Sequence, residues 1–156
     1  MVGNKFEFRN SENDIALNEY WGELLNKRIP GQLDYKQSEC FGIIDDGQPV
    51  VAWSYNSFKE VKNNNIQELE CSVSIASFRG EWKPFKVIPL ILSLFFKNKC
   101  YNRLTALTSV KNRQAVRLLK LAGFTLEGII RKPASVDNIM QFSLLREEYV
   151  RSRWVM

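Results

Sequence analysis

The pattern that most constrains the fold of this sequence is a strand, a helix and a second strand in succession. Ile66–Ala76 alternates polar and apolar residues, Val87–Phe96 is a largely apolar run, and Arg103–Ser109 has the composition of a strand. Two strands joined through a helix normally lie parallel, because that connection returns the chain to the same end of the sheet. The sequence therefore predicts a mixed α/β fold with at least one parallel pair of strands.

The same kinds of pattern place further elements on either side. Phe41–Ile44 and Val50–Tyr55 are apolar runs around an Asp-Gly pair, which is a strong hairpin signal. The 156 residues fit one domain, residues 1–156, which can bury a core without a metal or a disulfide. The other predicted elements are a strand at Lys5–Arg9, a helix capped by Ser11 or Asn13 and ending near Asn26, a loop at Lys62–Asn65, a loop at Ser77–Pro84, a helix at Asn112–Ala122, and strands at Phe124–Ile130 and Ile139–Leu145.

The residue types that are missing exclude several kinds of active site. The chain has no histidine, so Ser-His-Asp and Cys-His nucleophile systems are ruled out and no metal site is expected. Three widely spaced cysteines, Cys40, Cys71 and Cys100, indicate reduced thiols and a cytoplasmic protein. The N-terminal residues show no signal peptide, and the apolar run Val87–Phe96 is shorter than the roughly 18 residues of a membrane span. We therefore expect no membrane partner.

The positive charge is concentrated in one segment of the chain. Arg79–Lys132 holds twelve basic and two acidic residues, a net charge of +10, whereas the whole chain carries +5. Such a segment is suited to an anionic partner, which could be a phosphorylated cofactor, a nucleic acid or an acidic protein. A solvated face whose acidic neighbours come from elsewhere in the fold is the alternative.

The clearest motif joins a short amphipathic helix to the strand that follows it. Asn112 begins the helix, Gly123-Phe124 ends it, and Glu127-Gly128 follows. This segment resembles the GNAT acetyltransferase superfamily, whose members often carry these residue types at these spacings. The resemblance extends less densely over Ile75–Trp154, where the chain is similar to small phage-encoded GNAT proteins. The matching positions are Asn112, Ala115, Val116, Arg117, Leu118, Gly123, Phe124, Glu127 and Gly128.

The resemblance implies both a fold and a cofactor. The fold would be a central mixed sheet of six to seven strands with helices on both faces, in which the parallel strands Glu68–Ala76 and Arg103–Val110 splay apart. Acetyl-CoA (coenzyme A) would bind with its pantetheine arm along the splayed strands and its pyrophosphate at the start of the next helix. The residues that the family pattern assigns to this cofactor are Val73, Ser74, Ile75, Arg79, Gly80, Glu81, Trp82, Lys83, Asn112 and Arg117.

Two features depart from the family pattern. The pyrophosphate loop keeps one glycine, Gly80, and has Trp82 where the family has a small residue; the basic residues nearby can partly replace lost backbone donors. Leu119 stands where many members have a tyrosine that protonates the leaving thiolate. Tyr101 and Tyr149 are possible substitutes, and some members of the superfamily work without this tyrosine.

The implied reaction is direct acetyl transfer to a primary amine, which requires a group that removes a proton from the ammonium form. Without histidine, the candidates are carboxylates. Glu70 and Glu68 share one face of the predicted strand, and we favour Glu70 as the base, although both could be ordinary solvent-facing strand residues. The amine could belong to a protein N-terminus, a lysine or a small molecule, because the sequence carries no acceptor signature.

Two other functions remain open at this level. The chain could be a catalytically degenerate GNAT-fold binding protein, for example a phage protein that engages a host factor. Nucleic-acid binding ranks last, since no recognisable nucleic-acid motif accompanies the basic segment. Both a monomer and a homodimer are compatible with the sequence.

Overall fold

The computed structural model describes residues 6–9, 15–28, 34, 37–63, 66–78, 83–97, 101–131 and 137–156. The strands are β1 (Phe6–Arg9), β2 (Glu39–Asp45), β3 (Gln48–Asn63), β4 (Ile66–Ser77), β5 (Tyr101–Ser109), β6 (Thr125–Ile130) and β7 (Ile139–Leu145). The helices are α1 (Ile15–Asn26), α2 (Pro84–Phe96), α3 (Arg113–Ala122) and α4 (Arg146–Val150). The predicted order of strands and helices is therefore confirmed from β1 to β7, and α4 follows it.

The strands form one mixed sheet in the order β1-β2-β3-β4-β5-β7-β6. By its contacts the chain divides into two compact units: the first comprises Met1–Ser57 and Val73–Lys83, and the second comprises Phe58–Ser72 and Pro84–Met156. Strands β3 and β4 each contribute one segment to each unit. The assignment of residues 1–156 to a single domain stays a prediction.

Strands β4 and β5 are the parallel pair that the sequence predicts. The last pair in their register is Ser72 with Thr105. On its other edge β5 stays paired with β7 in the antiparallel sense, as far as Ser109 opposite Ile139. Within the second unit, the parallel ladder therefore ends four residues before β5 does.

The hairpin between β2 and β3 follows the prediction at its turn. Asp45 pairs with Gln48, and the two residues between them, Asp46 and Gly47, have φ angles of 54° and 76°. A two-residue turn with positive φ at both positions is type I′, whose twist matches that of the flanking strands. The Asp-Gly pair is favoured here because both residues tolerate this left-handed conformation.

The core of the first unit lies where α1 packs on the sheet. Gly42 of β2 is directly beneath Trp21, so closely that a Cβ at this glycine would overlap the indole ring. The absence of a side chain at Gly42 is therefore what lets α1 approach β2. The buried members of this cluster, which we call the α1 cluster, are Trp21, Leu25, Cys40, Ala52 and Ala76.

The core of the second unit is dominated by the apolar helix α2, which packs against β5. Its buried side chains are Val87, Ile88, Ile91, Leu92, Phe95 and Phe96. The rings of Tyr101 and Phe95 are stacked with centroids 4.9 Å apart, and those of Tyr149 and Phe96 with centroids 4.8 Å apart. Burying a large apolar side chain contributes roughly 1.5–3 kcal/mol, so the apolar run read from the sequence accounts for much of this core.

Two details differ from the sequence-based prediction. Strand β3 continues to Asn63 instead of ending at Tyr55, so the loop predicted at Lys62–Asn65 is wrong at its first two residues. Its side chains at residues 57–60 are exposed, which means that pairing with a neighbouring strand rather than burial extends it. The predicted helix caps Ser11 and Asn13, and the third cysteine Cys100, lie outside the described residues.

Helix α4 is the second difference, since no pattern predicted it. It begins directly after β7, where the backbone N–H of Leu145 donates to the Glu148 carboxylate at 2.9 Å. The guanidinium of Arg146 donates to the carbonyl oxygens of Phe96 and Tyr101, at 2.9 and 2.6 Å. These contacts tie the helix to the ends of α2 and β5, and so a segment too short to be a stable helix alone is held by its neighbours.

Candidate functional site

Three polar side chains follow one another along β4. Glu70, Ser72 and Ser74 are half-buried, whereas Cys71 and Val73 between them are buried. Side chains on a strand alternate between its two faces, so the polar three share the face opposite to the buried two. Burying a polar group in the middle of a sheet costs free energy unless the group is hydrogen-bonded. The hydrogen-bond partners of these residues therefore decide which donors and acceptors are left to bind a ligand.

In the second unit, Ser72 is hydrogen-bonded to Thr105. The two hydroxyl oxygens are 2.9 Å apart, and Thr105 Oγ1 also donates to the carbonyl oxygen of Cys71 at 3.2 Å. A threonine hydroxyl carries a single hydrogen, so Thr105 accepts a hydrogen bond from Ser72 when it donates to the carbonyl. This arrangement uses the hydrogen of Ser72 and leaves its lone pairs for a further donor.

A carboxylate from the edge of the sheet reaches the same unit. Glu127 lies at a bulge in β6, where the register with β7 shifts between Leu126 and Gly128. Its carboxylate accepts a hydrogen bond from Ser143 of β7 and lies 3.5 Å from the guanidinium of Arg103 of β5. Ser143 is only 1% exposed, so Glu127 supplies the partner that this buried hydroxyl needs. A bulge re-aims a side chain, and here it turns Glu127 over the sheet.

Arg103 connects these contacts to the predicted base. It is the register partner of Glu70 in the parallel ladder, so the two side chains leave neighbouring strands on the same face. Its Nε is buried and has no hydrogen-bond partner within the described part of the chain. The second predicted base, Glu68, is in β4, but its side chain lies outside the described residues.

Thr105 and Ser143 are also register partners, so the contacts form one continuous band across β4, β5, β7 and β6. The family resemblance includes Glu127, Arg103 and Thr105 of this band among its residues, but it gives none of them a role. These residues can be recognised as one band only when the register between the strands is known, and the pattern of a single strand does not give that register. We call the band the polar row; its members are Ser72, Arg103, Thr105, Glu127 and Ser143.

In the first unit, Ser74 is held by β3. The side-chain amide of Asn56 donates to Ser74 Oγ at 3.1 Å and to Ser54 Oγ at 3.0 Å. Of the neighbouring candidates on β4, Val73 is buried and Ile75 is half-buried. The cofactor role predicted for Val73, Ser74 and Ile75 concerns their backbone N–H and C=O groups, and it stays a prediction.

The start and end of α3 agree with the prediction. Asn112 caps the helix, with its side-chain oxygen accepting from the backbone N–H of Ala115 at 3.1 Å. Gly123 ends the helix in the left-handed conformation, with φ of 98°, and its N–H points back to the last turn. The capped end leaves Asn112 and Arg117 exposed on the surface of the second unit.

The position at which the family resemblance expects a tyrosine, Leu119, lies in the packed face of α3. Leu119 is 5% exposed and belongs to the buried face of α3. The two tyrosines considered as substitutes pack their rings against phenylalanines, Tyr101 on Phe95 and Tyr149 on Phe96. The position that the resemblance would give to an acid is therefore occupied by a buried apolar side chain.

The predicted pyrophosphate loop is described only at its end. Arg79, Gly80, Glu81 and Trp82 lie outside the described residues. Lys83 is exposed and has a left-handed φ of 53°, and Pro84 follows it as the first residue of α2. Proline at a first helical position loses no hydrogen bond, since the N–H there has no partner within the helix.

The two described cysteines are buried thiols without a disulfide, Cys40 and Cys71. Burial, together with a smaller contribution from Glu39, raises the pKa of Cys40 to about 12. A thiol that stays protonated is a poor nucleophile, so Cys40 fits a packing role. Cys71 lies on the buried side of β4, and its carbonyl oxygen, not its thiol, accepts the hydrogen bond from Thr105.

Two further findings apply to the part of the chain that the structure describes. None of its side chains form a group of three or more Cys, Asp or Glu that could hold a metal ion. None of its helices combines the length and the apolar character needed to cross a membrane.

No protein-family model matches the sequence, and no curated protein matches it. Solved structures do match. The ribosomal-protein-S5-alanine acetyltransferase from Vibrio fischeri is 12% identical with a TM-score of 0.64, over 96% of each chain. The spermidine N-acetyltransferase from Vibrio cholerae, solved as a dodecamer, is 13% identical with a TM-score of 0.69, over 94% of this chain and 96% of its own.

An aminoglycoside acetyltransferase in complex with coenzyme A and kanamycin is 15% identical with a TM-score of 0.63, over 96% of this chain and 99% of its own. At such identities the likeness establishes the fold alone. The chain has the GNAT fold, as the resemblance in its sequence implied.

Proposed function

We propose that this chain is an acetyl-CoA-dependent N-acetyltransferase that transfers an acetyl group directly to a primary amine. The observation that carries the proposal is the end of the parallel ladder at Ser72 and Thr105, in a chain with the GNAT fold. Each structural neighbour named above is described as an acetyltransferase, and one of them holds coenzyme A. The strand that continues past the ladder offers backbone groups to a ligand that can add to a strand edge.

The residues present fit the cofactor in charge and in backbone chemistry. The backbone of Val73, Ser74 and Ile75 would pair with the amides of the pantetheine arm. Lys83 and Arg117 are exposed cations, which suits a pyrophosphate and a ribose phosphate. The complete proposed set adds Arg79, Gly80, Glu81, Trp82 and Asn112.

Within this proposal, Glu70 is the general base. When bound, acetyl-CoA would supply the acetyl thioester, whose carbon–sulfur bond breaks as the new carbon–nitrogen bond forms, so that coenzyme A would leave as a thiolate that takes up the second proton lost by the amine nitrogen. An alkyl ammonium has a pKa of about 10 and cannot attack until it loses a proton, which Glu70 accepts and passes to water. A backbone N–H at Val73 or Ser74 would stabilise the negative charge that develops on the acetyl oxygen. Glu68, which is also in β4, is the second candidate base.

The cofactor is tested by isothermal titration calorimetry with coenzyme A. We expect a dissociation constant of about 1–100 µM, in the range of typical substrate constants. The double variant Arg79→Glu with Lys83→Glu should weaken binding at least about tenfold. A matched control is Lys27→Glu with Lys59→Glu, two exposed lysines outside the proposed site, which should leave binding unchanged. Absence of heat with about 1 mM coenzyme A contradicts the proposal.

The reaction is tested by thiol release from acetyl-CoA with an acceptor panel of spermidine, kanamycin and a peptide with an N-terminal alanine. The panel follows the acceptors in the descriptions of the neighbours. Glu70→Gln should lower kcat by about 100-fold or more while coenzyme A still binds. Glu23→Gln, an exposed glutamate on α1, is the control. Equal turnover by Glu70→Gln removes this residue from the role of base.

A second candidate is a GNAT-fold binding protein without chemistry, for instance a phage protein that engages a host factor. The buried Leu119 favours it, because the family acid is replaced by a residue that packs. This candidate predicts no thiol release with any member of the acceptor panel. Measurable turnover of any acceptor by the wild-type protein excludes it.

A further inference from the structure

We infer that Ser72 binds the acceptor amine directly, with Thr105 as the residue that orients its hydroxyl. The inference rests on the proposed acetyl transfer and adds an amine-binding residue to it. All of the groups involved belong to the second unit, on β4 and β5.

The direction of the hydrogen bonds is what makes Ser72 an acceptor. The carbonyl oxygen of Cys71 can only accept, so the hydrogen of Thr105 points to it, at 3.2 Å. Ser72 then donates to Thr105 across 2.9 Å. The lone pairs of Ser72 Oγ accept from whatever approaches, and a primary amine or its ammonium form offers several N–H donors.

The series of hydrogen bonds from Ser72 through Thr105 to the carbonyl oxygen of Cys71 makes Ser72 a stronger hydrogen-bond acceptor, and this matters more as the reaction proceeds. Each hydrogen bond in a series polarises the next, so Ser72 becomes a better acceptor because Thr105 is itself bonded to a carbonyl. Positive charge grows on the amine nitrogen as its bond to the acetyl carbon forms. An acceptor that holds this N–H therefore binds the transition state more tightly than the neutral amine.

The position of Ser72 suits this role. It belongs to the last pair of the parallel ladder, and Glu70 lies two residues earlier on the same face, about 7 Å along the strand. The glutamate side chain extends well beyond its Cβ, so its carboxylate and the serine hydroxyl can contact one nitrogen from two sides. One group would orient the amine while the other removes its proton.

Glu127 offsets the positive charge of Arg103, which would otherwise hinder the binding of an ammonium group near Ser72. Arg103 is opposite Glu70 and would repel an approaching ammonium. The carboxylate of Glu127, 3.5 Å from the guanidinium, supplies the compensating negative charge. The surroundings of Ser72 therefore favour a cationic or neutral amine over an anionic acceptor.

The experiment measures steady-state kinetics with acetyl-CoA and the acceptor panel. Ser72→Ala should raise the KM for the amine, or lower kcat/KM for it, by roughly 10- to 100-fold, while the KM for acetyl-CoA changes less than about twofold. Thr105→Val should act in the same direction by about three- to tenfold, and Thr105→Ser should restore the wild-type value. The control is Thr125→Ala, an exposed threonine of β6 outside the polar row, which should change neither constant.

Ser72→Cys guards against a variant that fails to fold, because sulfur keeps the shape of the side chain but is a weak hydrogen-bond acceptor. An unchanged amine KM in a folded Ser72→Ala or Ser72→Cys protein overturns the inference and leaves the proposed function standing. An equal rise in both KM values also overturns it, since it marks Ser72 as a cofactor contact. A wild-type protein that neither binds coenzyme A nor releases thiol overturns the inference together with the proposed function.

Discussion

The α1 cluster of the first unit and the polar row of the second unit are held together in different ways. The α1 cluster depends on shape: Trp21 is fully buried over Gly42, and its Nε1 has no hydrogen-bond partner within the described residues. The polar row depends on pairing: the buried hydroxyl of Ser143 is satisfied by Glu127, and that of Thr105 by a carbonyl oxygen.

The difference separates what stabilises this protein from what it can do. Apolar contacts have no direction, so the α1 cluster contributes stability through buried area and close packing. Hydrogen-bonded polar groups in a sheet contribute little net stability but fix where each donor and acceptor points. The polar row occupies positions in the sheet where apolar side chains would contribute more stability. Its donors and acceptors are instead held in fixed orientations beside the predicted base, Glu70.

The largest expected effect tests the packing of the α1 cluster. Gly42→Ala forces a methyl group into the Trp21 ring and should lower the free energy of unfolding by about 3 kcal/mol. In a Trp21→Leu background the same substitution should cost less than about 1 kcal/mol, because the overlapping ring is gone. Urea unfolding of the four proteins gives these values. An equal cost in both backgrounds would show that overlap with the Trp21 ring is not what excludes a side chain at position 42.

The next effect tests the pairing of the polar row. Glu127→Ala leaves the buried Ser143 hydroxyl without its acceptor and should lower the free energy of unfolding by about 1–2 kcal/mol. In a Ser143→Ala background the cost should fall below about 0.5 kcal/mol, and Glu147→Ala, an exposed glutamate on α4, should stay within that limit as well. The same urea series provides the measurement, and additive costs for the two substitutions would refute the pairing.

A polar contact outside the polar row should have a smaller effect. Asn112→Ala removes the cap of α3 and should lower the free energy of unfolding by about 1 kcal/mol. Asn112→Asp keeps an oxygen that can accept from Ala115, so it should lie within about 0.5 kcal/mol of wild type. Thermal unfolding compares the three proteins. A destabilised Asn112→Asp would show that the amide has a partner beyond the cap.

The smallest effect concerns the thiol in the α1 cluster. The pKa of Cys40 is raised from 9.0 to about 12, so the unfolded chain ionises this thiol before the folded protein does. Stability from this residue is therefore complete below pH 9 and is lost as the pH rises toward 12. Between pH 8 and pH 9.5 the loss should be about 0.8 kcal/mol. Chemical unfolding at both values should show this decrease in wild type and its disappearance in Cys40→Ala; identical decreases would contradict a buried, protonated thiol.

Much of the fold could be predicted because its signals are local. The Asp46-Gly47 turn, the Asn112 cap and the Gly123 stop are each encoded by residues adjacent in the chain, and each is confirmed. The second half of β3 does not follow from the sequence because residues 57–60 are exposed and show no apolar alternation; pairing with a neighbouring strand extends β3 there. Helix α4 was missed because Arg146 anchors it to distant carbonyl oxygens.

The candidate site was only partly predictable for the same reason. Alternation along β4 placed Glu70 on a polar face, but the partner of Ser72 depends on the register between β4 and β5. The contact between Glu127 and Arg103 depends on a bulge in β6, which no strand pattern reveals. The family motif identified Glu127 as noteworthy, and the contact with Ser143 supplies a physical reason for its presence.

Hydrogen exchange at the backbone amides of β4 tests the central claim most directly. The proposed function requires coenzyme A to occupy the part of β4 that follows the ladder. Saturating coenzyme A should then slow exchange at one or more of Val73, Ser74 and Ile75 by about tenfold or more, while Phe41 and Ile43 of β2 exchange as before. Exchange at all three β4 amides that is the same with and without saturating coenzyme A would contradict the account.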